Sequence, residues 1–234
     1  MSERLIELLV SSFGKIFLSC LEVTIPLTII SFVLGTLFAL LLAIVQIMEI
    51  KGLKQIVRIY VWIFRGTPLL VQLFIIFYGM PSIGLTIPAF PAAIIAFSLN
   101  VAAYNSEVIR SAILSVPKGQ IEAGYMAGLK YSQIMIRIVL PQAAKVAFPN
   151  LFNSVIGLTK DTSLASSITV IELFKTAQQI AGRYFEPFAL YCEAALVYLL
   201  ISSLLSLLQS YLEKKAVWKK SDKKIKIKLT GEKI

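Results

Sequence analysis

The stretch Leu21–Met48 is almost wholly apolar, and four more runs of similar character follow it along the chain. The hydrocarbon core of a bilayer takes about 20 mostly apolar residues per crossing helix. Repetition of such runs therefore leaves little besides a bundle of membrane-spanning helices. The expected crossings are Leu21–Met48, Val57–Tyr78, Pro88–Ile109, Ser132–Leu158 and Pro187–Leu212. The fourth is interrupted by Lys145, Asn150 and Asn153, residues a bundle accepts where they face protein or a water-filled path. Composition agrees: of 234 residues, 57% are hydrophobic and 15% charged, too apolar for an ordinary soluble domain. The expected fold is all-α, with one transmembrane domain over residues 21–213. A weaker amphipathic run within residues 1–20 is expected to lie along the outer interface.

Charge sets the expected orientation. The formal charge of +10 does not point to nucleic acid, because nine of the 23 Lys and Arg residues follow Glu213 in a basic tail, 214–234. Such a tail after an apolar run suits the anionic inner leaflet. Lys51, Lys54 and Arg58 lie between the first two runs, and Arg110, Lys118 and Lys130 between the third and fourth. The segment MPSIGLTI between the second and third carries no charge. Five crossings then place the N-terminus outside and the C-terminus in the cytoplasm.

Several functions are disfavoured. No histidine is present, which removes the usual general base and the commonest metal ligand. Cys20 and Cys192 both lie in apolar runs and read as packing residues. No GxxxxGK[ST] phosphate loop occurs, so no bound cofactor is expected and any ATP and magnesium belong to a partner. The first apolar run continues into a full crossing without a signal-peptide cleavage pattern.

The most informative segment is polar. Residues 122 to 141 read EAGYMAGLKYSQIMIRIVLP, between two apolar runs on the cytoplasmic side. Pro117 ends the preceding helix, and a short helix is expected within about 119–130, with Glu122 in its first turn and Gly128 at its end. On spacing alone, a docking element and a plain connector fit equally well. The segment resembles the EAA loop of the permease subunits of ABC importers: Glu122-Ala123-Gly124 leads to Gly128, and nine residues later comes Ile138-Val139-Leu140-Pro141. The one departure is Gly124, where the pattern has alanine, a change that leaves no bulk to block docking.

Two further segments are similar to the polar amino acid branch of that family, the histidine, glutamine, arginine and cystine permeases. One is RGTPLLVQLFIIFYG from Arg65, with Gly66, Thr67 and Pro68; the other is KDTSLAS, with Lys160, Asp161 and Thr162, where the chain looks most like cystine permeases. The resemblance implies a type I importer fold with a cytoplasmic coupling helix. It also implies two ATPase subunits, a second permease copy or paralogue, and an extracytoplasmic amino-acid-binding protein. Glu122, Ala123, Gly124, Gly128, Leu140 and Pro141 would then make the ATPase contact. Read from the residues, Pro68 is expected to kink the second crossing or unwind its first turns, freeing a backbone carbonyl.

Polar residues within the crossings mark the expected substrate path. Asn100, Tyr104 and Glu107 share one face of the third run, Asn150 and Asn153 lie in the fourth and Glu193 in the fifth. Each has a structural alternative: Glu107 pairs with Arg110, the asparagines bond across helices, and Glu193 meets a neighbouring helix. An ion-coupled carrier or channel is the competing class, although no repeat between the halves is evident.

Overall fold

A computed structural model describes residues 3–221, with side chains through residue 215. Its elements are helical: α1 (Glu3–Ser19), α2 (Ile25–Ile47), α3 (Leu53–Gly66), α4 (Leu69–Phe74), α5 (Ala89–Leu114), α6 (Lys118–Met126), α7 (Tyr131–Ile134), α8 (Leu140–Asp161), α9 (Leu173–Tyr184) and α10 (Pro187–Ser221). From residue 222 onward the basic tail lies outside the described residues.

Proline decides how the long helices are built. A proline lacks the N–H that would bond four residues back. At Pro26, Pro81 and Pro141 the residue just before the proline bonds five residues back instead, Ile25 to Cys20, Met80 to Ile75 and Leu140 to Met135. Each makes a single π-helical turn and the helix continues. The first crossing is therefore not preceded by a separate interfacial segment. Residues Glu3–Ile47 form one 45-residue helix. Its α1 portion packs on α9 and α10, with Leu8 against Ala181 and Leu190, and Ile16 and Cys20 among Leu173, Ala177 and Val197. In the same way α7, a π-turn and α8 form one helix from Tyr131 to Asp161.

The second expected crossing is two helices. At Thr67 and Pro68 the backbone is extended, and α3 and the helix after it meet at 107°. Pro68 produces the break anticipated for it, but a sharp one rather than a kink. Gln72 closes it: this buried side chain donates to the freed carbonyls of Phe64 (2.9 Å) and Thr67 (3.1 Å) and to the Thr67 hydroxyl oxygen (2.9 Å). Among the described residues three helices are long and apolar enough to cross a bilayer, four if the bent pair counts as one span. Tyr131–Asp161 has the length but not the apolarity.

Helix α5 is the centre. Its small residues Ala92, Ala93, Ala96, Ala102 and Ala103 are buried, with Phe97 among Leu27 and Leu73. Small side chains let helix backbones approach closely where lipid offers no hydrophobic drive between them. The closest approach is at Gly35 of α2, where a Cβ would sit 2.7 Å from the Ser98 carbonyl oxygen and 2.8 Å from the Val101 side chain. Polar bonds fix the register: Ser98 donates to the Ser31 carbonyl, Asn105 Nδ2 to Thr36 Oγ1 at 3.0 Å, and the Tyr60 hydroxyl to the Leu99 carbonyl at 2.6 Å.

The loop expected between the fourth and fifth crossings is instead ordered as a 3₁₀ segment, Thr162–Ile168, followed by α9. Glu172 caps α9, accepting from the backbone N–H groups of Phe174 (2.9 Å) and Lys175 (2.7 Å) and from the Tyr198 hydroxyl (2.9 Å).

Candidate functional site

The break between α3 and α4, one face of α5 and one face of α8 enclose a cavity of about 1060 Å³. Asn100, Tyr104 and Glu107, read as one face from their spacing, all line it, and so do Asn150 and Asn153 from α8. Arg65, Thr67 and Pro68 close one wall and Asp161 another. The polar character of α8 thus has a direction, towards a cavity rather than towards lipid.

The Arg65 guanidinium carbon lies 5.4 Å from the centroid of the Tyr104 ring, a cation–π contact that holds the cation at the cavity wall. Glu107 is paired with Arg110 at 2.8 Å, as its spacing allowed. Asn100 Nδ2 donates to Gln72 Oε1 at 3.0 Å, so the residue that seals the helix break also orients a cavity residue. Asn105 is fully buried and contributes to the lining; its Nδ2 is used by Thr36 while its Oδ1 has no partner. The lining thus combines a cation from α3 with carboxamides and carboxylates from α5 and α8.

One residue that orients the cavity lining was not singled out in the sequence. Gln72 sits in the apolar run after Pro68, and a lone amide four residues past a proline was its only signal. Ser154, which reads with Asn150 and Asn153 as a possible donor on the fourth run, lines the cavity with them. Glu193 does not join the cavity. Its carboxylate accepts from Ser12 Oγ at 2.6 Å, a buried contact between α10 and α1, so of its two readings the neighbouring helix is the one found. Lys160 faces a separate cleft against α10, Gly66 lines the cleft described below, and Thr162 is buried with its hydroxyl donating to the Thr159 carbonyl.

At the end of the bundle where α5 finishes lies α6. It begins at Lys118, so Glu122 falls in its second turn and not its first, and the helix-dipole argument for that carboxylate does not apply. Its C-terminus closes as a Schellman motif: Leu129 N–H bonds the Gly124 carbonyl (3.1 Å) and Gly128 N–H the Tyr125 carbonyl (2.9 Å), with Gly128 at φ +75°. Glu122, Ala123, Tyr125 and Gly128 are exposed, and Met126 is 91% exposed. Gly124 is not on that face. It is buried against α7, where an added Cβ would lie 2.8 Å from Ile134 Cγ1. Its glycine therefore makes room inside the protein rather than outside it. Leu140 and Pro141 are exposed at the start of α8, and Gln142 there donates to Gln120 of α6.

Long apolar helices around a cavity that polar and charged side chains enter, with a short exposed helix at one end, suit a multi-pass membrane transport protein. The chain belongs to the family described as binding-protein-dependent transport system inner membrane component, whose profile matches residues 35–218. It is thus the permease component of an ABC importer, a family in which the ATPase is a separate subunit. It is 49% identical over 210 residues to the L-cystine transport system permease protein TcyB of Bacillus subtilis, covering 89% of this chain and 90% of that protein. It is 36% identical over 214 residues to a putative glutamine transport system permease protein of Rickettsia conorii, covering 90% and 98%. Among solved structures, an amino acid ABC transporter with histidines matches with a TM-score of 0.85 at 32% identity, covering 92% of this chain and all of that one. The MetNI methionine transporter matches in fold, with a TM-score of 0.70 at 20% identity. The expected type I importer fold is therefore correct, and the competing ion-coupled carrier is set aside.

Proposed function

We propose that this chain carries a polar amino acid, cystine or one of the glutamine and arginine type, through the cavity between α3, α5 and α8. The observation that carries this reading is the cavity's charge arrangement. Arg65 can receive an α-carboxylate, Asp161 an α-ammonium group, and Asn100, Asn150 and Asn153 the polar remainder. In this reading Tyr131–Asp161 is the fourth of five crossings, its polar face turned to the cavity, with the N-terminus outside and α6 on the cytoplasmic side. The domain then covers residues 21–213 together with the helical extension before it.

The exposed face of α6, with Glu122, Ala123, Tyr125, Met126 and Gly128, and beside it Leu140 and Pro141, docks on one of two ATPase subunits. Through Gly124 against Ile134 and Gln120 against Gln142, α6 is seated on the helix that bears Asn150 and Asn153. A movement of α6 thereby reaches the cavity. A second permease copy or paralogue completes the pathway, and an extracytoplasmic binding protein delivers the amino acid. The ATPases bind the ATP and magnesium.

The test is uptake of labelled cystine, glutamine and arginine by proteoliposomes holding this chain with its ATPase and binding protein. ATP-dependent accumulation of one of them is expected, reduced about tenfold by Asn153→Leu, the loss of one or two hydrogen bonds. Glu122→Arg is expected to release the ATPase while leaving the chain inserted. An active ATPase without uptake of any amino acid would overturn the substrate class.

A further inference from the structure

A second cleft, of about 700 Å³, opens beside the cavity at the end of the bundle that carries α6. It touches the cavity's lining only through Arg65, Tyr104 and Glu107. The end of α2 supplies Gln46, α3 supplies Lys54, Arg58 and Trp62, and the end of α5 supplies Arg110 and Leu114. The α3 residues follow at intervals of four, so they share one helical face.

The cleft's charges do not cancel. Its two carboxylates are already engaged, Glu49 by Lys54 at 2.5 Å and Glu107 by Arg110 at 2.8 Å. Arg58 and Arg65 form no ion pair among the described residues. The site thus offers surplus donors and cationic charge, which is what phosphate oxygens require. Its rim has the opposite character: Trp62 is 75% exposed, and Leu114 is a second exposed apolar group. An amino acid leaving for water gains nothing from such a rim, whereas an acyl chain does.

We propose that this cleft binds an anionic phospholipid, its phosphate held by Arg58 and its acyl chains lying over Trp62 and Leu114. The proposal rests on the cytoplasmic placement of α6 given above, because that leaflet supplies anionic headgroups next to basic residues. Arg58 stands apart from the substrate cavity, so the lipid site and the transport path can be tested separately.

The experiment is native mass spectrometry of the complete transporter taken from mixed phosphatidylglycerol and phosphatidylcholine vesicles, with the phospholipids retained on the complex counted. Selective retention of phosphatidylglycerol is expected, reduced about fivefold by Arg58→Gln, roughly the 1 kcal/mol of one charged contact. Arg58→Lys is expected to retain an intermediate amount, and Arg137→Gln, an exposed cation away from the cleft, to change nothing. Equal retention of both lipids, or equal losses in Arg58→Gln and Arg137→Gln, would overturn the proposal. Displacement of the lipid by soluble glycerol phosphate would reassign the cleft to a free anion, and displacement by the transported amino acid would make it a vestibule of the pathway. Uptake is measured on the same preparation. Uptake without lipid selectivity sinks the lipid site alone, whereas absent uptake sinks the transport reading.

Discussion

Helices α5 and α8 line one cavity from opposite sides, yet they are built on different principles. On α5 the cavity face is narrow, and most of the helix is buried against neighbours through alanines and Phe97. On α8 few residues are buried, and the polar ones, Asn150, Asn153, Ser154 and Asp161, face the cavity. One helix holds the bundle together and happens to have a wet edge. The other is chiefly a wall. Substitutions in the two should therefore separate stability from transport, and the following tests press on that separation.

The largest effect is expected where α5 is most closely approached. Gly35→Leu places a Cβ 2.7 Å from the backbone oxygen of Ser98, which cannot rotate away, and further carbons beyond it. Overpacking of this kind costs about 3 kcal/mol or more. The purified complex should lose its single symmetric elution peak, and a well-behaved Gly35→Leu variant would show that α2 and α5 can separate freely.

Next comes the join between the two regions. Gln72→Leu leaves the Phe64 and Thr67 carbonyls and Asn100 Nδ2 without their shared partner. A loss of about 2–3 kcal/mol is expected from these unpaired groups, with uptake lost as Asn100 reorients. By contrast Asn153→Leu on α8 should alter the melting temperature little, about 0.5 kcal/mol or less, while uptake falls about tenfold. Comparable stability losses in the two variants would mean that α8 is as structural as α5.

That contrast also explains what the sequence could disclose. The three long apolar helices and the pair broken at Pro68 were marked by apolar runs, and Asn100, Tyr104 and Glu107 by helical spacing, because both patterns are local. The fate of the prolines was not local. The crossings Leu21–Met48 and Ser132–Leu158 run through Pro26 and Pro141, but nothing in the sequence shows that a single π-turn carries the helix past each. Gly124 looked like a docking residue because only its exposure, not its identity, distinguishes the two faces of α6. Gln72 was invisible because an amide in an apolar run acquires meaning only once Pro68 has freed the carbonyls it caps. Glu193 fitted a substrate role equally well until Ser12, 181 residues away, was placed beside it.

The smallest expected effect is a pH slope from a residue outside both walls. Burial pushes the Glu172 carboxyl above its ordinary value of 4.5, outweighing the N–H groups of Phe174 and Lys175 and the Tyr198 hydroxyl that favour its charge. A carboxyl raised in this way holds its proton more tightly folded than unfolded. Its contribution is therefore complete below the unfolded value and is lost as pH rises through the raised folded value. Melting temperature of the purified complex should fall across that window. Glu172→Gln, which keeps an oxygen for one backbone N–H and cannot titrate, should flatten the fall by about 2–4 °C. An unchanged slope in that variant would place the titrating group elsewhere. A flattened slope with unchanged uptake would confine Glu172 to holding α9 against α10, away from the helices that move with α6.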